Sequence, residues 1–231
     1  MRRPPRLQAW EARRMMDAAT AIEAARAEAK GCEACDLYRE ATQTVFGEGR
    51  PETGVVFVGE APGDQEDLKG RPFVGPAGKL FERALAEAGI ERGGVYLTNA
   101  VKHFKFVRTG KRRIHQKPDS AEIKACKPWL LRELDAINPR LIVAMGATAA
   151  QSLLGKTVTI GRERGRFRPY PPEAQLYITV HPSFLLRLPN EDLKAIEYGR
   201  FVDDLKACRE FAEHGVLEDR AATGPAQASL L

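Results

Sequence analysis

Apolar residues gather in four short runs along the chain, at 54–58, 95–98, 141–145 and 176–180, each bounded by Gly, Pro or polar residues. Continuous apolar runs of this length are what strands buried on both faces of a parallel sheet require. Between them the spacing changes to that of helices. Leu80, Leu85 and Ile90 mark an apolar stripe over 79–90, and a helix over 119–137 opens with Asp119 and Glu122 in capping-box spacing. A further helix runs from Gly146 to Leu154, and one over 191–214 closes the pattern. Neither a repeat nor a linker divides this alternation. The predicted fold class is α/β: a three-layer α/β/α sandwich with a central, mainly parallel four-stranded sheet. The expected organisation is a helical extension at 1–29, one domain at 30–214 and a disordered tail at 215–231.

Composition narrows the picture. A chain of 231 residues with 43% hydrophobic content supports one large core and is short for two domains. The 36 basic and 31 acidic residues leave a net charge of +5, which matters only where it is concentrated. Residues 102–117 hold seven Lys or Arg and no acid, and residues 161–168 hold four arginines. Two basic loops on a domain of this size favour a polyanionic partner, nucleic acid being the commonest. No apolar run approaches a membrane span, and Met-Arg-Arg-Pro-Pro-Arg lacks the apolar core of a signal peptide, so a cytoplasmic protein is expected. In that compartment the four cysteines are metal ligands, catalytic thiols or core residues in preference to disulfides.

Three predicted strands end on chemistry-bearing residues: Glu60 after the first, Asn99 after the second and His181 after the fourth. The carboxyl ends of strands are where open α/β sheets hold ligands. An acid, an amide and an imidazole suit the reading and cleavage of a heterocycle, although each alone is ordinary turn chemistry. Cys32-Glu-Ala-Cys35 precedes any strand, which favours a metal or cluster over a thioredoxin-type disulfide. Gly155-Lys-Thr157 looks like the end of a phosphate-binding loop. It lacks the glycine five positions earlier and falls at a helix end.

Taken together, Gly59-Glu-Ala-Pro-Gly63-Asp, Arg71-Pro-Phe-Val-Gly-Pro-Ala-Gly78, Thr98-Asn99 and His181-Pro-Ser resemble the uracil-DNA glycosylase superfamily, most closely its iron-sulfur type 4 branch. Within that branch Lys111-Arg-Arg-Ile-His115 resembles the loop of the UdgX group, whose members excise uracil and stay bonded to the DNA. The likeness spans about residues 32–205.

That resemblance implies a flipped uracil stacked on Phe73 and read by Asn99, with Ala61, Asp64 and Gln65 around the pocket floor and His181 donating to uracil O2. It implies His115 as the nucleophile at C1′ of the sugar, with Glu60 accepting its other N–H; an ordinary type 4 enzyme that turns over with water, and a uracil-DNA binding module without chemistry, are the competing readings. Lys111, Arg112, Arg113 and Ser183 would meet the DNA backbone, and Arg187, or Leu185 or Leu186 in its place, would fill the gap left in the duplex. A 4Fe-4S cluster would be held by Cys32, Cys35, His103 and Cys126. Cys208 is the competing ligand and zinc the competing metal. The implied partner is uracil-containing DNA, single-stranded by preference, met by a monomer that has no membrane role and releases uracil.

Overall fold

The computed structural model describes residues 5–215, so the expected tail lies, Gly215 apart, outside the described residues. The chain begins with α1 (Pro5–Ala29), β1 (Glu48–Gly49) and β2 (Val55–Gly59), followed by α2 (Asp64–Lys69), α3 (Pro76–Glu87) and β3 (Tyr96–Asn99). Next come β4 (Phe106–Thr109), β5 (Arg112–His115), α4 (Ser120–Ile137), β6 (Leu141–Met145) and α5 (Ala147–Leu154). The last elements are α6 (Ile160–Glu163), β7 (Phe167–Tyr170), β8 (Ala174–Thr179), α7 (Pro182–Leu186) and α8 (Glu191–His214).

The central sheet has six strands, in the order β1-β3-β2-β6-β8-β7, and not the four expected. β3, β2, β6 and β8 are parallel and correspond to the four apolar runs. β1 and β7 add antiparallel edges. The edge strands escape an apolar-run criterion because one is Glu-Gly and the other, Phe-Arg-Pro-Tyr, carries a charge and a proline, both tolerated where one side of a strand is free.

Alternation along the parallel strands divides the core in two. Val56, Val58, Ile142, Ala144 and Ile178 pack on one side with Ile22 and Ala25 of α1, Leu130 and Leu134 of α4 and Leu153 of α5. Val55, Phe57, Val143, Met145 and Tyr177 pack on the other with Phe81 and Leu85 of α3 and Phe201 and Leu205 of α8. Each fully buried Phe or Leu stabilises the fold by about 1.5–3 kcal/mol. The C-terminal part of α1 is thus part of the core, and Glu28 pairs with Arg132 of α4 at 2.7 Å. The capping box forms: Asp119 accepts from the Ala121 and Glu122 amides, and Glu122 accepts from the Asp119 amide at 2.8 Å. Among the described residues no helix is long and apolar enough to cross a membrane.

The basic stretch 102–117 is no simple loop. β4 and β5 form an antiparallel hairpin, Phe106 opposite His115 and Val107 opposite Ile114, turning at Gly110 with φ +58°. Its apolar residues are too few and too interrupted by Lys and Arg for a strand pattern to stand out.

Candidate active site

Four loops leave the carboxyl edge of the sheet in the order of their strands: Asn99 ends β3, Glu60 follows β2, Gly146 follows β6 and His181 lies just beyond β8. Connections diverge between β2 and β6, the switch point at which such sheets open a crevice. The Thr148 hydroxyl reaches across it and donates to Glu60 Oε2. A cleft of about 1590 Å³ opens there, lined by Glu60, Phe73, Asn99, His115, His181 and Arg187 among others.

Phe73 is held in an unusual backbone conformation, φ +55°, which a non-glycine residue keeps only when its surroundings enforce it. The enforcement is visible. Glu66 accepts from the Val74 and Gly75 amides at 2.9 and 2.6 Å, and Arg92 donates to the Phe73 and Pro72 carbonyls at 3.2 and 2.9 Å. The Phe73 ring then rests on Phe81 and faces His181 with centroids 6.2 Å apart. Gly59 permits the close approach of ring and amide, because a Cβ there would stand 2.3 Å from Asn99 Oδ1 and 2.6 Å from Phe73 Cζ. Ala61, Asp64 and Gln65 line the same cleft.

His181 caps α7 with its own ring: Nδ1 accepts from the Ser183 amide at 3.2 Å and lies 2.8 Å from Ser183 Oγ. With Nδ1 an acceptor, the proton of the neutral ring sits on Nε2. Burial, reinforced by His115 and Arg187, pushes the pKa of His181 down to about 4, so the ring is a neutral donor at physiological pH. Arg187 donates to Ser183 Oγ at 3.0 Å, which couples two expected DNA contacts to this histidine. Leu185 is wholly buried, so of the two leucines considered as a wedge only Leu186 is exposed.

The hairpin brings His115 to the cleft, Nε2 3.7 Å from Glu60 Oε1, an ionic-range approach that is longer than a hydrogen bond. Burial lowers the pKa of His115, and Arg187 adds to this, against the opposite pull of Glu60 and Glu66. Arg113, expected at a phosphate, is instead turned inward. It pairs with Asp64 at 2.7 Å and with the buried Asp67 at 2.6 Å, and its guanidinium lies 5.3 and 5.1 Å from the ring centroids of Phe104 and Phe106. Residues two apart on a strand share a face, so this latch fixes the side of the hairpin that carries His115. Lys111 and Arg112 are exposed and without an ion-pair partner among the described residues. In the second basic stretch Arg164 is committed to Asp204 and Glu197, and Arg168 to Glu163.

The cysteines divide. Cys126 on α4 and Cys35 adjoin one small apolar cluster with Leu37, Val101 and Ile123. Burial pushes the Cys126 thiol up to about 12, with Cys35 and Cys32 near enough to add to the effect. Two N–H donors already point at sulfur: the Lys102 amide at Cys126 and the Trp129 indole at Cys32, at 3.1 and 3.0 Å. Three thiols with N–H donors in an apolar patch fit a cluster in kind and neighbourhood. They do not close round one point, since among the described residues no group of three His, Cys, Asp or Glu side chains is set to hold a metal ion. His103 is buried, and the charge that acts on it is that of Asp67. Cys208, on α8, lies in the core cluster on the opposite side of the sheet, which removes it as a competing ligand.

Residues 46–206 match the profile of the Uracil DNA glycosylase superfamily. The chain belongs to that superfamily. It is 40% identical to the type-4 uracil-DNA glycosylase of Thermotoga maritima over 183 residues, covering 79% of this chain and 90% of that protein. The type-4 enzyme of Pyrobaculum aerophilum is 38% identical over 167 residues, covering 69% and 82%. A type-5 enzyme of the same organism is 33% identical over 106 residues, covering 46% and 42%. Thr148, Glu66 and Arg92 hold cleft residues in place through hydrogen bonds and do not stand out in the sequence. Thr148 lies three residues beyond the third strand and already within α5, one residue further than Glu60 stands from its own apolar run, so a strand-end rule stops short of it. Glu66 and Arg92 act through backbone groups and leave no pattern in the sequence.

Proposed function

We propose that this chain excises uracil from DNA and that His115, in place of water, takes C1′ of the deoxyribose. Uracil-DNA glycosylase chemistry is supported by the family membership. The nucleophile rests on one observation: the hairpin sets the His115 ring in the cleft beside Glu60, on a strand that Arg113 latches to α2.

The flipped base stacks on Phe73, and the Asn99 amide pairs with uracil O4 and N3–H, a pattern that cytosine presents in reverse. The C1′–N1 bond breaks with its electron pair leaving on uracil, where His181 Nε2–H meets the charge developing at O2. A lone pair of the neutral His115 ring forms the new N–C1′ bond. The proton on the other ring nitrogen passes to Glu60, which turns its Oε1 toward the ring while Thr148 holds Oε2. An alkylated imidazole is a poor leaving group near neutral pH, so the product stays bonded and the protein acts once. Lys111 and Arg112 contact the DNA backbone.

Cys32, Cys35 and Cys126, with His103, are assigned to a 4Fe-4S cluster. Such a group supplies a structural tie when bound, joining the segment after α1 to the hairpin and α4. Iron in the purified protein that survives Cys208→Ala and is lost in Cys126→Ala is the expected result; zinc in its place would refute the assignment.

A second reading, in which water is the nucleophile and the protein turns over, is favoured by the likeness to the type-4 enzymes. A denaturing gel of protein mixed with uracil-containing single-stranded DNA separates the two. We expect a slow-migrating band, a peptide modified at His115 by mass spectrometry, and uracil released in no more than equal amount. His115→Ser removes the band and restores repeated release. Free uracil in excess over wild-type protein with no band establishes the second reading, and no uracil at all removes both.

A further inference from the structure

A buried ionic network lies beneath Asn99. Lys102 Nζ, fully buried, donates to Glu133 Oε2 at 2.5 Å, to Thr98 Oγ1 at 2.6 Å and to the Asn99 carbonyl at 2.9 Å. All three of its donors are thereby used. Glu133, also fully buried, accepts from the Gly47 amide at 2.8 Å, from the Tyr96 hydroxyl at 3.0 Å and from Thr98 Oγ1. Such a pair needs a reason beyond stability, since replacing one with apolar residues of similar volume is often neutral or stabilising.

Its position supplies the reason. The peptide plane that follows Asn99 is fixed at both ends: its C=O accepts from Lys102 Nζ, and its N–H, that of Ala100, donates to the Gly59 carbonyl at 2.9 Å. A planar peptide held at both ends sets ψ of Asn99, and with it the direction in which the side chain leaves the backbone. We propose that Lys102 is a positioning residue for Asn99, and that the Lys102–Glu133 pair governs how tightly the protein holds the uracil base as distinct from the DNA that carries it. This rests on the uracil-excision reading above. Without Lys102 the Asn99 carbonyl loses its donor in a buried site, and the plane tilts until it finds another. The amide then leaves the line on which it meets the base edge, while the phosphate contacts of the hairpin are untouched.

The test compares two ligands on one folded protein. Lys102→Met is combined with Glu133→Gln, which removes both charges and keeps an oxygen acceptor for Gly47, Tyr96 and Thr98. Affinities for free uracil and for single-stranded DNA carrying a tetrahydrofuran abasic site are measured by titration calorimetry. We expect uracil affinity to fall by about tenfold, the size of one misdirected hydrogen-bonding group, with the abasic DNA affinity within about twofold of wild type. Unchanged uracil affinity, or an equal loss for both ligands, overturns the proposal. If the double variant does not fold, the nitrogen NMR signal of the Lys102 ammonium is followed in the wild-type protein. It should move on addition of uracil and not on addition of the abasic DNA, and a signal indifferent to uracil overturns the proposal. Wild-type protein that releases no uracil from uracil-DNA would refute the reading of the site itself, a result separate from each of these.

Discussion

Thr148 donates its hydroxyl proton to Glu60 Oε2 across the switch point of the sheet, leaving Oε1 as the oxygen that faces His115. The threonine is buried, so the carboxylate is aimed by an element on the far side of the crevice from its own strand. Thr148→Val preserves shape and deletes the donor. Single-turnover uracil release should slow on the order of tenfold to a hundredfold, as for other small misplacements of a reacting group. Half-saturation with DNA should stay unchanged, because Thr148 is buried and offers no surface to a strand. A rate equal to wild type would show that Glu60 needs no such support.

With His115 as the proposed nucleophile, the pH dependence of adduct formation reports on its ring. Only its neutral ring carries the attacking lone pair, and burial holds its pKa below the ordinary 6.5. The single-turnover rate should therefore rise with pH through a midpoint under 6.5 and be flat by neutrality. Glu60 pulls that pKa up and Arg187 pushes it down, so Glu60→Gln should move the midpoint to lower pH and Arg187→Ala to higher pH. Rates measured between about pH 4 and 7 decide it, and a profile that falls with rising pH excludes a neutral imidazole nucleophile.

Much of this site was legible in the sequence because two strong regularities carry it. Strands buried on both faces must be apolar throughout, so four of the six strands stand out, and each delivers its next residues to the same rim. The edge strands β1 and β7 obey neither constraint. The hairpin shows a different limit. Arg112 and Arg113 are adjacent and chemically identical, so composition assigns both to DNA. Strand alternation sends one to solvent and the other to Asp64 and Asp67, and that alternation becomes visible only when 106–115 is seen to pair with itself. Contacts made through backbone groups, such as Glu66 on the Val74 and Gly75 amides, have no side-chain signature at either end.

That distinction between neighbouring arginines is testable. Arg113→Ala leaves the buried Asp67 carboxylate with the amide and hydroxyl of Thr42 as its remaining hydrogen-bond donors among the described residues, and should lower the unfolding free energy by about 2 kcal/mol, less than for a fully enclosed pair since the guanidinium keeps some solvent. Its hairpin should also lose protection from hydrogen exchange. Arg112→Ala should leave the denaturation midpoint where it is, weaken DNA binding, and reduce the salt dependence of affinity by about one counterion. Equal effects of the two substitutions on stability and on DNA affinity would contradict the inward placement of Arg113.

Gly59 gives the sharpest steric test. Its φ is ordinary, so an alanine there meets no backbone penalty, and the only obstacle is what its methyl would touch. That is the Asn99 side-chain oxygen at 2.3 Å and the Phe73 ring at 2.6 Å, both well inside contact distance. Phe73 cannot retreat freely, because Glu66 and Arg92 fix its backbone and Phe81 backs its ring. Asn99 must therefore give way, and with it the proposed pairing to uracil O4 and N3–H. Gly59→Ala should reduce uracil release by on the order of a hundredfold or more while the protein remains folded by circular dichroism. It should leave affinity for abasic-site DNA close to wild type, since that ligand presents no base to Asn99 or Phe73. Full activity in Gly59→Ala would mean that the amide and the ring do not hold the base in the arrangement described.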